Sequence, residues 1–128
     1  MATAPEPPKK TPNTTHTAPA QPSAACAVTS ECKRLGLCSS RGGACVAGSS
    51  SDCLGAVDCR DAGRCTAQAG RCVVAGDGDC AGSYGCRAFG SCRARGGVCQ
   101  AVGDADCAAA SACSEHQLCR AEGGSCVR

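Results

Sequence analysis

Cysteine returns along this chain at a fixed interval: Cys26, Cys53, Cys80 and Cys107 are 27 residues apart, and so are Cys32, Cys59, Cys86 and Cys113. The series Cys38, Cys65, Cys92, Cys119 and Cys45, Cys72, Cys99, Cys126 keep the same spacing. Each unit reads C-x5-C-x5-C-x6-C, with seven residues before the next unit and no insertion or deletion among the four copies. A strict period of this length marks a repeat array, in which one short supersecondary unit stacks on the next. The units divide as 26–52, 53–79, 80–106 and 107–128, behind an arm of residues 1–25 that holds all six prolines and no cysteine.

Such units cannot be held by an ordinary core. Of the apolar residues, 24 are Ala and 16 are Cys, leaving eight Val, four Leu, Met1, Tyr84 and Phe89 over 128 residues. Large buried side chains are the main source of folding free energy, and this few cannot offset the entropy of ordering the chain. Covalent or metal staples are required. Complete pairing of the even cysteine count answers that need, and a bridge closing a loop near 15 residues contributes about 3 kcal/mol.

Metal is the rival staple. Zinc and iron-sulfur sites in small domains favour cysteines two residues apart, so that one knuckle offers two thiolates to one ion. No CxC or CxxC occurs here, and His16 and His116 cannot supply a repeated ligand set. Disulfides are therefore the expected state, with a metallothionein-like, cytoplasmic thiolate metal-binding protein as the alternative. Quartets pair within themselves on this reading, because the pattern opens and closes on whole quartets. A bridge between two hairpin cysteines facing each other would duplicate what the turn already fixes; the expected connectivity is first-to-third with second-to-fourth, which ties the helical turn to both strands, with first-to-fourth and second-to-third as the alternative.

Glycines that recur between the copies give the unit its shape. Gly43, Gly70, Gly97 and Gly124 stand two residues before each fourth cysteine, where a tight turn needs positive φ, and predict a β-hairpin between the third and fourth cysteines. Gly36, Gly63 and Gly90 predict a second bend, with Gln117 departing from the pattern in the last copy. Asp52, Asp79 and Asp106 precede first cysteines and read as helix N-caps for the Ala/Ser-rich stretches that follow. The fold class is a small disulfide-rich repeat, each module a short helical turn plus a β-hairpin with little regular core. The arm reads as a disordered, extended Pro/Thr-rich spacer.

Several chemistries are weakly served. His116 lies between Cys113 and Cys119, but Ala62 and Phe89 take its place beside identically spaced cysteines, so it is no nucleophile's base. One or two carboxylates per connector, such as Asp77 and Asp104, fall short of a calcium shell. Gly76-Asp77-Gly78 lacks the strand-to-helix context of a phosphate loop. Asn13-Thr14-Thr15 matches a glycosylation acceptor only as a short motif in a Thr-rich stretch. Arg60, Arg64, Arg71, Arg87, Arg93 and Arg95 are interspersed with Asp and read as a solvated face. A formal net charge of +2 and only two aromatic rings outside histidine give no basis for a nucleic-acid partner. No apolar run is long enough to span a membrane, and the first 25 residues show no apolar core of a signal peptide.

Over residues 26–128 the pattern Asp-Cys-x5-Cys-x3-Gly-x-Cys-x4-Gly-x-Cys resembles the cysteine-rich tandem repeats of surface and secreted proteins of high-GC bacteria such as myxobacteria. That resemblance implies a disulfide-stapled extracellular or cell-surface module; it brings no activity and no site residue. The expected role is non-enzymatic, without cofactor: an extended binding or spacer module whose partner is a protein or a cell-envelope component.

Overall fold

The structure is a computed structural model, and it describes residues 19–128. The cysteine quartets fold alike, each into two short helices and a two-stranded antiparallel hairpin. The first helices are α1 (Ala24–Ala27), α3 (Ser50–Leu54), α5 (Asp77–Ala81) and α7 (Asp104–Ala108). The second helices are α2 (Ser30–Leu35), α4 (Val57–Ala62), α6 (Tyr84–Phe89) and α8 (Ser111–His116). The hairpins pair β2 (Ser39–Arg41) with β3 (Ala44–Val46), β4 (Thr66–Gln68) with β5 (Arg71–Val73), β6 (Arg93–Arg95) with β7 (Val98–Gln100), and β8 (Arg120–Glu122) with β9 (Ser125–Val127). A short strand β1 (Gln21–Pro22) adds to the first hairpin, with Gln21 opposite Ser40 and Pro22 opposite Ser39.

All sixteen cysteines are paired, in eight bridges that each stay within one quartet. The connectivity differs from the expected one. The first cysteine joins the fourth (Cys26–Cys45, Cys53–Cys72, Cys80–Cys99, Cys107–Cys126) and the second joins the third (Cys32–Cys38, Cys59–Cys65, Cys86–Cys92, Cys113–Cys119). The reason lies in the hairpin register: Ala67, not Cys65, stands opposite Cys72. The third cysteine sits just before its strand, where the chain has turned back over the second helix. Gly63 caps α4 at φ +79, its N–H donating to Cys59 O, and the Cys65 N–H then donates to Gly63 O at 2.9 Å. That reversal returns Cys65 to Cys59 across six residues.

Two further expectations need correction. Asp52, Asp79 and Asp106 are not N-caps but the third residues of α3, α5 and α7, whose N-caps are Ser49, Gly76 and Gly103. Helices of the first kind thus start before the first cysteine, so the folding unit opens a few residues ahead of the cysteine-based boundary. The arm is shorter than residues 1–25: residues 1–18 lie outside those described, whereas Gln21–Pro22 form a strand and Ala24 opens α1 behind its N-cap Ser23.

Hairpin turns are two residues long with both at positive φ, the type I′ geometry whose twist suits a hairpin. Gly-Gly fills three of them, but Ala69 (φ +54) precedes Gly70 (φ +80) in the second. What core there is consists of sulfur and small side chains: Cys53, Cys80 and Cys107 are wholly buried, with Ala47, Val74 and Ala101 from the connectors and Ala56, Ser83 and Ala110 at the starts of the second helices. Along the array α2 packs on α4, α4 on α6 and α6 on α8, so the second helices form a continuous stack.

Candidate functional site

Successive modules meet through a repeated junction. The left-handed cap glycine of each of the first three second helices sits against the first-to-fourth bridge of the next module. A Cβ added to Gly63 would fall 2.6 Å from Cys99 Sγ, 3.0 Å from Asp79 O and 3.2 Å from Cys80 Cα. Gly90 meets Cys126 Sγ, Asp106 O and Cys107 Cα at 2.6, 3.0 and 3.1 Å, and Gly36 meets the Cys72 sulfur, Cys53 Cα and Asp52 O in the same way. The sulfurs of Cys99 and Cys126 lie 3.1 and 3.0 Å from the carbonyl oxygens of Ala62 and Phe89. A disulfide sulfur carries no proton, so these are packing contacts.

An aspartate clasps each junction. Asp52 Oδ2 accepts from the Ser39 hydroxyl at 2.7 Å and the Gly48 N–H at 2.9 Å. Asp79 Oδ2 accepts from the Thr66 hydroxyl at 2.8 Å and the Ala75 N–H at 2.9 Å. Asp106 takes Arg93 Nε at 3.4 Å and the Val102 N–H at 3.1 Å. Each carboxylate thereby ties the preceding hairpin and connector to the first helix of the next module. The second carboxylates of the connectors are also in use: Asp77 Oδ1 accepts from the Ala94 N–H at 2.8 Å and Asp104 Oδ1 from the Ala121 N–H at 2.9 Å. The Ala94 N–H holds the Asp77 carboxyl below its ordinary value of 3.8, with Arg95 and Arg93 adding to the lowering against slight desolvation. Among the described residues no group of three or more His, Cys, Asp or Glu side chains is arranged to hold a metal ion.

Beside each cap glycine the junction opens into a groove, and the three grooves are one structure repeated at 27-residue offsets. The first, of about 390 Å³, is lined by Leu35, Leu37, Asp58, Arg64, Arg71 and Cys72, with Val73 and Gly97 at its margin. The second, of about 230 Å³, has Ala62, Arg64, Gly85, Ser91, Val98 and Cys99 in the equivalent places. The third, of about 190 Å³, has Phe89, Ser91, Ala112, Leu118, Ser125 and Cys126. Arg64 lines the first and second grooves and Ser91 the second and third, so neighbouring grooves share a wall residue. The fourth cysteine of a module lies in each groove, while the other equivalent positions change in character from aliphatic and cationic to apolar.

Charge lies in the first two grooves, with Asp58, Arg64 and Arg71 lining the first and Asp61 and Arg64 the second. Arg64 contacts Asp58 at 3.3 Å, whereas Arg71 makes no ion pair among the described residues. Arg60 pairs with Asp61 and Arg93 and Arg95 with Asp77 on the surface, Arg93 also reaches the largely buried Asp106, and Arg87 donates to Gly82 O at 2.9 Å. Tyr84 and Phe89 are half exposed and meet edge to face, with ring centres 5.9 Å apart. His116 is exposed at the end of α8, beside the Tyr84–Phe89 pair in a surface hollow of about 480 Å³ that also includes Arg87 and Glu115. Gly43, Gly70, Gly97 and Gly124 occupy the second position of their hairpin turns, and Gly97 also lines the first groove. Sequence reasoning missed the junction grooves, although the cap-glycine series marked the place where modules touch.

Eight disulfides point to a disulfide-stapled protein of extracellular type rather than a metallothionein-like one. Among the described residues no helix is long and apolar enough to cross a membrane. No protein-family profile, curated protein or solved structure matches the chain.

Proposed function

We propose that this is a non-enzymatic, secreted or surface-exposed binding module whose successive junction grooves hold an extended, acidic segment of a partner protein. The observation that carries the reading is the contrast within the grooves: a fourth cysteine and a cap glycine recur at every junction, while the surrounding side chains differ at equivalent positions. A spacer has no use for three in-register grooves that differ in chemistry. Packed helices lie about 8–10 Å apart, and an extended peptide rises about 3.3 Å per residue, so roughly one residue in three of such a ligand would meet a groove. The first groove suits an aliphatic side chain beside a carboxylate, because Leu35, Leu37 and Val73 stand with the unpaired guanidinium of Arg71. Phe89 and Leu118 in the third suit an apolar residue. The resemblance to bacterial surface repeats favours the same compartment.

Selection of a random-peptide display library on the oxidised protein tests this. The expected result is a set of acidic, aliphatic-containing sequences that lose binding when Arg71→Glu or Phe89→Ser is introduced. Failure to enrich any sequence above an unrelated disulfide-rich control, or binding indifferent to both substitutions, would favour the spacer.

A further inference from the structure

We infer that the outward faces of the first and fourth modules are versions of the internal junction surfaces, and that one residue on each, Ala25 and Gln117, keeps a second copy of this chain from docking head to tail. The junction needs two things, each present three times. One is a residue without Cβ at the cap of the second helix, because a Cβ on Gly36, Gly63 or Gly90 would run into the next module's bridge and the backbone beside it. The other is an aspartate one residue before the first cysteine, where Asp52, Asp79 and Asp106 accept from the preceding module.

Both requirements are broken on these outward faces. The fourth cap is Gln117, which holds the same left-handed conformation (φ +63) with its side chain exposed. Before the first cysteine of module one stands Ala25, also exposed, in the place of the aspartate. Arg120, equivalent to the Arg93 that reaches Asp106, pairs instead with Glu122 of its own hairpin at 3.6 Å. Laying the last module of one copy on the first module of another by the internal geometry would drive the Gln117 Cβ into the Cys26–Cys45 bridge and leave no carboxylate to clasp Arg120. A head-to-tail contact of this kind does not close on itself and would propagate into filaments. The two departures block that growth while leaving the internal junctions intact.

The test restores the junction residues in the whole oxidised protein as Ala25→Asp/Gln117→Gly and follows its mass by sedimentation velocity over a range of concentrations. Both replacements are residues that other modules carry at the same positions, and a bridge map matching that of the unaltered protein shows that folding is retained. The unaltered protein should stay a monomer, and the double variant should grow in mass with concentration. Ala25→Asp/Gln117→Ala, which keeps a Cβ at the cap, should return to the monomer. A double variant that stays monomeric, an unaltered protein that already associates end to end, or an alanine variant that associates as well as the glycine one would each overturn the inference.

Discussion

Gly63 closes the second helix of its module directly against Cys99 of the next, so close that a Cβ there would stand 2.6 Å from the sulfur. The contact makes module stability a property of pairs. Gly63→Ala should therefore cost more than the about 1–2 kcal/mol of placing alanine in the left-handed region, with the overlap adding about 1–3 kcal/mol. Thermal or denaturant unfolding of the variant checks this. A loss of no more than about 1–2 kcal/mol, the left-handed penalty alone, would mean the neighbouring module moves aside without cost.

Gln117 and Ala69 are the two described non-glycine residues at positive φ, and no module packs on either side chain. Ala69→Gly should stabilise the second hairpin by about 1 kcal/mol, the relief of the left-handed penalty less the added freedom of the unfolded chain. Gly70→Ala in the same turn should destabilise it. Equilibrium unfolding of the two variants gives opposite signs on this account.

At the start of the second helices, Thr29 and Ser83 accept from the N–H groups of Cys32 and Cys86 at 3.0 and 3.1 Å, while Ala56 and Ala110 leave the same position uncapped. Ser83 is almost fully buried and also donates to Cys80 O at 2.8 Å, so the slot already accommodates a hydroxyl. Ala56→Ser should raise stability by about 1 kcal/mol. No gain in the unfolding midpoint would show that α4 (Val57–Ala62) does not reproduce the geometry of α6 (Tyr84–Phe89).

Much of this architecture was legible. The 27-residue period, the hairpin glycines and the need for staples all follow from residue spacing and from the shortage of Leu, Ile and Val. Connectivity was not, because it depends on whether the third cysteine lies inside the hairpin or just before it. A two-residue shift of Cys65 from the place opposite Cys72, which Ala67 holds, is invisible in a pattern of gaps. Asp52 was misplaced for a related reason: an aspartate at a helix start suits the cap and the third position alike, and only the donors Ser39 and Gly48 decide between them. The grooves were hidden because their walls come from two or three modules at once. In hindsight Gln117 was the clue, since it marks the one cap that faces no following module in the described structure.

Asp77 gives the fold a dependence on acid. Its carboxyl is held below the ordinary 3.8, so the stability it contributes is complete above that value and is lost as pH falls through the lowered native pKa. Denaturant unfolding followed from pH 6 to pH 2 should show a decline at the acid end that is smaller in Asp77→Asn. An identical pH profile in the variant would mean that the Ala94 N–H does not distinguish the charged from the neutral carboxyl.

The cysteine pairing bears most directly on the whole account, since the junctions, the grooves and the blocked outward faces all rest on the first-to-fourth bridge. Proteolysis of the non-reduced protein with mass analysis of the linked peptides is the decisive measurement. Peptides joining Cys53 to Cys72 and Cys59 to Cys65, with their counterparts in the other modules and no alkylatable thiol, are predicted. Peptides joining Cys53 to Cys65, a bridge between modules such as Cys45 to Cys53, or sixteen free thiols carrying metal would contradict it.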